Sequence, residues 1–108
     1  MDGDFVESTL FSRLLPEYLT EEEYRDVQNS LLDNPEAGVL IKGSGGLRKL
    51  RMRIRDRGKR GGLRLVYYWH KPINKFYMVN LYDKSETSNL SRHEIMAFRL
   101  LVKDWIEE

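Results

Sequence analysis

The sequence predicts an α+β fold in a single domain over residues 1–108, with elements in the order β, α, α, β, β, β, α. Two segments combine a capping box with apolar residues at helical spacing, which predicts two well-marked helices. Three segments between them are rich in aromatic and branched residues and are separated by turn signals, which predicts an antiparallel meander. No repeat, low-complexity tract or linker divides the chain, so helices and sheet should share one domain.

The chain should begin with a short strand and a short helix. Phe5 and Val6, followed by a polar residue, indicate the strand. Ser8 is a candidate N-cap for the helix, which we expect Pro16 to end because proline disrupts helical hydrogen bonding.

The second helix is better marked. Thr20 and Glu23 form a capping box, and Leu19 can staple Tyr24. The helix should end near residues 34–35, an Asn-Pro step, because the residue before proline disfavours helical backbone. Its apolar stripe consists of Tyr24, Val27, Leu31 and Leu32.

The three strands follow a glycine-rich loop. From residue 49 to 55 apolar and basic residues alternate, the period of a half-buried strand. The loop 55–62 leads into a strand over 63–70, and a turn at 72–74 leads into another over 75–82. A final helix begins at the capping box of Ser91 and Glu94. Its apolar face consists of Ile95, Phe98, Leu101, Val102 and Trp105.

Composition excludes several classes of protein. With 41% hydrophobic and 32% charged residues, the chain is too apolar for disorder and too charged for a membrane span. The absence of cysteine excludes disulfides, thiolate metal sites and a cysteine nucleophile. Because the start, MDGDFVEST, also has no signal-peptide pattern, we expect a cytoplasmic protein without membrane contact.

The net charge of +1 hides an uneven distribution. Residues 1–41 contain two basic and ten acidic residues, residues 42–65 contain ten basic and one acidic, and residues 66–108 contain six of each. Such a concentration of cations predicts an anionic partner, with nucleic acid as the first candidate. The predicted RNA- or ribosome-binding cations of this stretch are Lys49, Arg51, Arg53, Arg55, Arg57, Lys59 and Arg60. A merely solvated charged strand is the alternative.

Aromatic residues accompany these cations on the second and third strands of the meander. By parity Arg64, Val66 and Tyr68 share one face, so a cation and a phenol could bind a phosphate and stack on an unpaired base. Tyr67, Trp69 and Phe76 are better explained as core residues.

The sequence has no arrangement of residues that would support metal-dependent catalysis or a protein nucleophile. His70 and His93 have no spaced carboxylate cluster, so no metal site is predicted. If the chain cleaves RNA, it must position the phosphate and stabilise developing charge with Arg and Lys, with Tyr or Lys in proton transfer.

Five blocks of the sequence together resemble the RelE superfamily of bacterial toxins, and its HigB-type branch most of all. They are FVESTLF (5–11), YLTEEEYRDVQNSLLDNPEAG (18–38), GSGGLRKLR (43–51), GKRGGLRLVYYW (58–69) and FYMVNLYDKSE (76–86). The resemblance implies a RelE-like fold, in which two N-terminal helices pack against an antiparallel sheet and a C-terminal helix follows the sheet. That order agrees with the one predicted above.

The resemblance also implies a function: the toxin of a type II toxin–antitoxin module, which cleaves mRNA in the ribosomal A site. Cleavage by attack of the ribose 2′-hydroxyl on the adjacent phosphate would need no metal or other cofactor. The family's catalytic basic positions match Arg64 in GGLRLVYY and Lys84 in LYDKSE. Some relatives have a tyrosine after the last strand, where this chain has residues 87–90 without one; Tyr68 or Tyr82 would have to substitute.

The partners that the resemblance implies are a cognate antitoxin, and the ribosome with its rRNA and mRNA. An acidic or helical antitoxin segment would cover the cationic face or hold the toxin off the ribosome, in a complex that we expect to be oligomeric. Two other functions stay open: a ParE-like toxin that inhibits DNA gyrase, and an RNA-binding module without catalysis.

Overall fold

The structure, a computed structural model, describes residues 3–52, 62–86 and 89–107. Its elements are β1 (Asp4–Glu7), α1 (Thr9–Tyr18), α2 (Glu21–Asp33), β2 (Val39–Leu40), β3 (Arg48–Met52), β4 (Leu63–His70), β5 (Lys75–Asp83) and α3 (Arg92–Glu107), with a 3-10 turn at Lys71–Ile73 between β4 and β5. The predicted α+β class and the order of the predicted elements are confirmed. The two-residue strand β2 is an addition, in a segment that we expected to be loop.

The helix starts follow the predicted capping residues. The Ser8 side chain accepts a hydrogen bond from the Phe11 N–H at 2.9 Å. Thr20 and Glu23 form the complete capping box of α2, and the Ser91 hydroxyl accepts from the Glu94 N–H at 3.0 Å at the start of α3. These bonds satisfy backbone donors that the first turn of a helix leaves without partners.

The expectation that Pro16 ends α1 is wrong. Pro16 lies inside the helix, which continues to Tyr18 and closes with a bond of 2.9 Å from the Leu19 N–H to the Leu15 carbonyl. A proline this close to the end removes one backbone bond. The core contacts of Leu15, Tyr18 and Leu19 offset that loss.

The five strands form one sheet in the order β1-β5-β4-β3-β2. The pairs β3·β4 and β4·β5 are antiparallel, which confirms the predicted meander. The strand β1 pairs with β5 in parallel, so the sheet is mixed rather than wholly antiparallel. The pairing of β1 also stacks the Phe5 ring on the Phe76 ring, with centroids 4.7 Å apart.

Each face of the sheet has its own core. The face towards α1 and α2 contains Tyr67 and Phe76, both fully buried, with Trp69 packed against them, which confirms their predicted place in the core. The opposite face contains Val66, Tyr77, Val79 and Tyr82 and packs against Val102 of α3. In the described residues no helix is long and apolar enough to cross a membrane.

Candidate active site

A row of three residues crosses the sheet on the face that α3 covers in part. Arg51 of β3 pairs with Arg64 of β4, and Arg64 pairs with Tyr82 of β5. Residues opposite each other on adjacent strands project to the same face, so these three side chains are neighbours. One step along β3, Lys49 pairs with Val66 on this same face.

Lys84 joins these residues from the turn that follows β5. Its backbone N–H donates to the Gly62 carbonyl at 3.1 Å, which ties the turn to the start of β4 beside Arg64. Burial, followed by the positive charges of Arg51, Arg64 and Lys84, lowers the pKa of Lys49. We call Lys49, Arg51, Arg64 and Lys84 the cationic cluster.

The members of the cationic cluster differ in exposure. Arg64 is buried, at 8% exposed, and its Nη1 donates to the Leu63 carbonyl at 3.2 Å. Arg51 and Lys84 are exposed, and Lys49 is intermediate. An anion could therefore approach Arg51 and Lys84 from solvent and meet Arg64 at the base of the cluster.

Tyr82 is the tyrosine that the structure brings to the cluster. Its side chain is buried, and that burial raises its pKa. The charges of Arg64 and Arg51 act in the opposite direction, while Glu94 of α3 acts with burial. The phenol therefore keeps its proton near neutral pH and can act as a hydrogen-bond donor.

Tyr68 lies elsewhere on the same face. It is four residues beyond Arg64 on β4, roughly 13 Å along an extended strand. Its ring packs near Tyr77, with centroids 6.4 Å apart, and lines a cleft of about 220 Å³. The other lining residues belong to the loop before β3 and to α3: Ser44, Gly45, Leu47, Arg99, Val102, Lys103, Ile106 and Glu107. The structure thus does not bring Tyr68 together with Arg64.

Not every basic residue of this region belongs to the cluster. Arg48, the neighbour of Lys49, forms an ion pair with Glu36 at 3.5 Å and donates from Nη1 to the Gly38 carbonyl at 2.7 Å. The predicted binding residues Arg53, Arg55, Arg57, Lys59 and Arg60 lie outside the described residues. Within the described ranges, no three His, Asp or Glu side chains gather as a metal site requires.

The sequence interpretation missed the residues that hold the turn of Lys84. Asp83 is completely buried, and its Oδ1 accepts hydrogen bonds from both the N–H and the hydroxyl of Ser85. Tyr18 of α1 donates to Glu86 Oε1 at 2.8 Å. The Asp-x-Ser spacing after a strand was an available signal, because aspartate commonly bonds backbone two residues on.

Residues 26–108 match the family model described as the RelE toxin of the RelE/RelB toxin–antitoxin system. The chain is similar to a mutant of the E. coli toxin RelE in the free state, with a TM-score of 0.56 and 17% identity over 93% of this chain and 96% of that one. It also matches a chain of the intact E. coli RelBE toxin–antitoxin complex, with a TM-score of 0.49 and 17% identity over 72% of this chain and 92% of that one. The free-toxin likeness confirms the predicted RelE-like fold.

Proposed function

Since this chain belongs to the RelE family of toxins, we propose that it is the toxin of a toxin–antitoxin pair and cleaves mRNA in the ribosomal A site. The observation that supports cleavage is the cationic cluster: Lys49, Arg51 and Arg64 lie on one sheet face with Tyr82, and Lys84 joins them from the turn after β5. A site made of cations and a phenol suits a reaction whose transition state gains negative charge.

The reaction that fits this site is an internal transfer of the phosphoryl group. The ribose 2′-oxygen forms a bond to the adjacent phosphorus, and the bond from phosphorus to the 5′-oxygen of the next nucleotide breaks. A proton leaves the 2′-hydroxyl and a proton from water reaches the departing 5′-oxygen, so the products are a 2′,3′-cyclic phosphate and a 5′-hydroxyl. In this proposal Arg64 and Lys84 contact the phosphate and stabilise its added charge.

Lys49 is the proposed acceptor of the 2′-hydroxyl proton. Lysine accepts a proton only when it is neutral, and burial and the surrounding cations favour its neutral form here. Tyr82, whose pKa is raised, stays protonated and would donate a hydrogen bond to a phosphate oxygen. Of the two tyrosines that the sequence left open, we propose Tyr82 rather than Tyr68, because Tyr68 lines a cleft on a different part of this face.

The remaining proposals concern binding and partners. Arg51 would contact a neighbouring phosphate, and Arg53, Arg55, Arg57, Lys59 and Arg60 would extend the contact to mRNA and rRNA. A cognate antitoxin would neutralise the toxin, by covering the cationic face or by keeping it from the ribosome. Assignment to the HigB-type branch, cytoplasmic location and an oligomeric toxin–antitoxin complex stay predictions.

The test uses purified protein in a reconstituted translation system with one defined mRNA. Cut sites are mapped by primer extension, with ribosomes present or omitted, for the wild type and for Arg64→Ala. Lys71→Ala is the matched control, because it removes an exposed cation just beyond the opposite end of β4. We expect cuts at A-site codons for wild type and Lys71→Ala, only with ribosomes, and none for Arg64→Ala.

Two results would contradict the proposal. Intact mRNA in every lane, together with inhibition of DNA supercoiling, would favour the gyrase-directed alternative. Intact mRNA together with RNA binding that depends on Arg64 would favour a binding module without catalysis.

A further inference from the structure

The turn that presents Lys84 is fixed by a buried carboxylate. Asp83, the last residue of β5, is 0% exposed. Its Oδ1 accepts from the Ser85 N–H at 2.8 Å and from the Ser85 hydroxyl at 2.7 Å. One buried oxygen thus holds the residue after Lys84 through two hydrogen bonds.

Three further hydrogen bonds hold the same turn, one within it and two to its surroundings. The Glu86 N–H donates to the Asp83 carbonyl at 2.9 Å and closes the turn. The Lys84 N–H donates to the Gly62 carbonyl at 3.1 Å, and Tyr18 of α1 donates to Glu86 Oε1 at 2.8 Å. Lys84 is therefore an exposed side chain on a backbone that is held on both sides.

The anchored turn places Lys84 close to other cations. Lys84 is close enough to Lys49 for its charge to lower the pKa of that residue, and Arg51 and Arg64 act on Lys49 in the same sense. Without a bound anion, repulsion among these cations would drive an unrestrained lysine towards solvent. A rigid turn opposes that displacement.

We propose that Asp83 is a positioning residue, which holds the turn so that Lys84 meets the scissile phosphate. The inference rests on the proposed endoribonuclease function. Asp83 acts through Ser85 and the turn backbone, and its own carboxylate does not touch the substrate.

The test compares single-turnover cleavage on programmed ribosomes for wild type, Asp83→Ala, Asp83→Asn, Lys84→Ala and the double variant Asp83→Ala/Lys84→Ala. Rates are corrected for the folded fraction. Asp83→Ala should slow cleavage about 10- to 100-fold, because small misplacements of a catalytic group have effects of this size. The dependence on toxin concentration should stay unchanged. Asp83→Asn should restore most of the rate, since its amide oxygen can accept both Ser85 bonds.

The double variant separates positioning from general destabilisation. If Asp83 acts through Lys84, the double variant should cleave no more slowly than Lys84→Ala alone. Leu65→Ala, which opens a cavity on the face towards α1 and α2, is the control for lost stability. Cleavage by Asp83→Ala at the wild-type rate, losses that multiply in the double variant, or an equal loss in Leu65→Ala would each overturn the inference.

Amide hydrogen exchange tests the positioning role of Asp83 separately from the proposed cleavage function. Exchange at Lys84, Ser85 and Glu86 should become faster in Asp83→Ala and stay near wild type in Asp83→Asn. Unchanged exchange in Asp83→Ala would overturn the positioning role even where wild type cleaves normally. A wild type that never cleaves would remove the proposed function and this inference together, whatever the exchange shows.

Discussion

Arg51 and Arg64 lie directly opposite each other in the antiparallel register of β3 and β4. Like charges at opposed positions destabilise a sheet. Lys49 and Lys84 lie close to this pair: burial first, and then the charges of Arg51, Arg64 and Lys84, lower the pKa of Lys49. The protein thus retains a repulsion that a bound phosphate backbone would relieve, and this relation leads to the first prediction.

Replacing Arg51 by Gln should raise the free energy of unfolding at low salt by about 0.2–1 kcal/mol, because it removes one of two opposed charges. Affinity for single-stranded RNA should fall. Denaturant titration at low and high salt measures the first effect, which added salt should reduce by screening. Lys71→Gln is the control, and an Arg51→Gln variant less stable than wild type at low salt would refute the prediction.

Arg64→Ala should abolish growth inhibition while leaving the fold in place. The substitution removes the cation at the base of the cluster, and the loss of packing is offset by the end of its repulsion with Arg51. Growth after induction and the circular dichroism spectrum of the purified variant are the measurements. A folded variant that still stops growth would remove Arg64 from the site. A variant that unfolds as readily as Trp105→Ala would take away the support for a functional role of Arg64.

Trp105→Ala should instead lower stability, by roughly 0.5–3 kcal/mol, because the ring is only partly buried. The Trp105 ring stacks on Tyr77 with centroids 5.1 Å apart, and this contact joins α3 to the sheet. Thermal unfolding measures the loss, and the cut sites of the remaining folded protein should be those of the wild type. A new cleavage pattern at unchanged stability would show that Trp105 belongs to the site.

The lowered pKa of Lys49 predicts how the free energy of unfolding depends on pH. Its pKa lies below the usual 10.5, so between the lowered pKa and 10.5 the unfolded chain binds more protons than the folded chain. Stability of the wild type should therefore rise with pH through that window, relative to Lys49→Met. Denaturation at a series of pH values measures the difference. The cleavage rate should also rise with pH until Lys49 is neutral. If stability changes with pH in the same way for wild type and Lys49→Met, the predicted contribution of Lys49 to stability is wrong.

Several elements were predictable because the interactions that form them are local. The capping box of Thr20 and Glu23 joins residues three apart, so the sequence alone predicts that a helix starts there. The strand over 63–70 was predicted with its observed bounds, since its composition and flanking turns are themselves local signals. The parity that placed Arg64 and Val66 on one face needed only the extended backbone of β4.

Other features depend on contacts between distant parts of the chain. The parallel pairing of β1 with β5 joins strands that lie more than fifty residues apart in sequence. The continuation of α1 through Pro16 depends on the core contacts of the residues at the end of that helix. The choice between Tyr68 and Tyr82 is of the same kind. Strand register placed Tyr82 opposite Arg64, while the packing of α3 and the loop before β3 enclosed Tyr68 in a cleft.

The sequence by itself determined the fold class, the helix starts, the strands of the meander and the concentration of basic residues in one stretch, because each follows from composition or spacing along the chain. Tertiary structure alone decided which cations meet, which tyrosine joins them and that Asp83 is buried beneath Lys84. The physical reason is that register and burial are set by long-range packing, and the neighbours of a side chain across a sheet are unrelated to its neighbours in sequence.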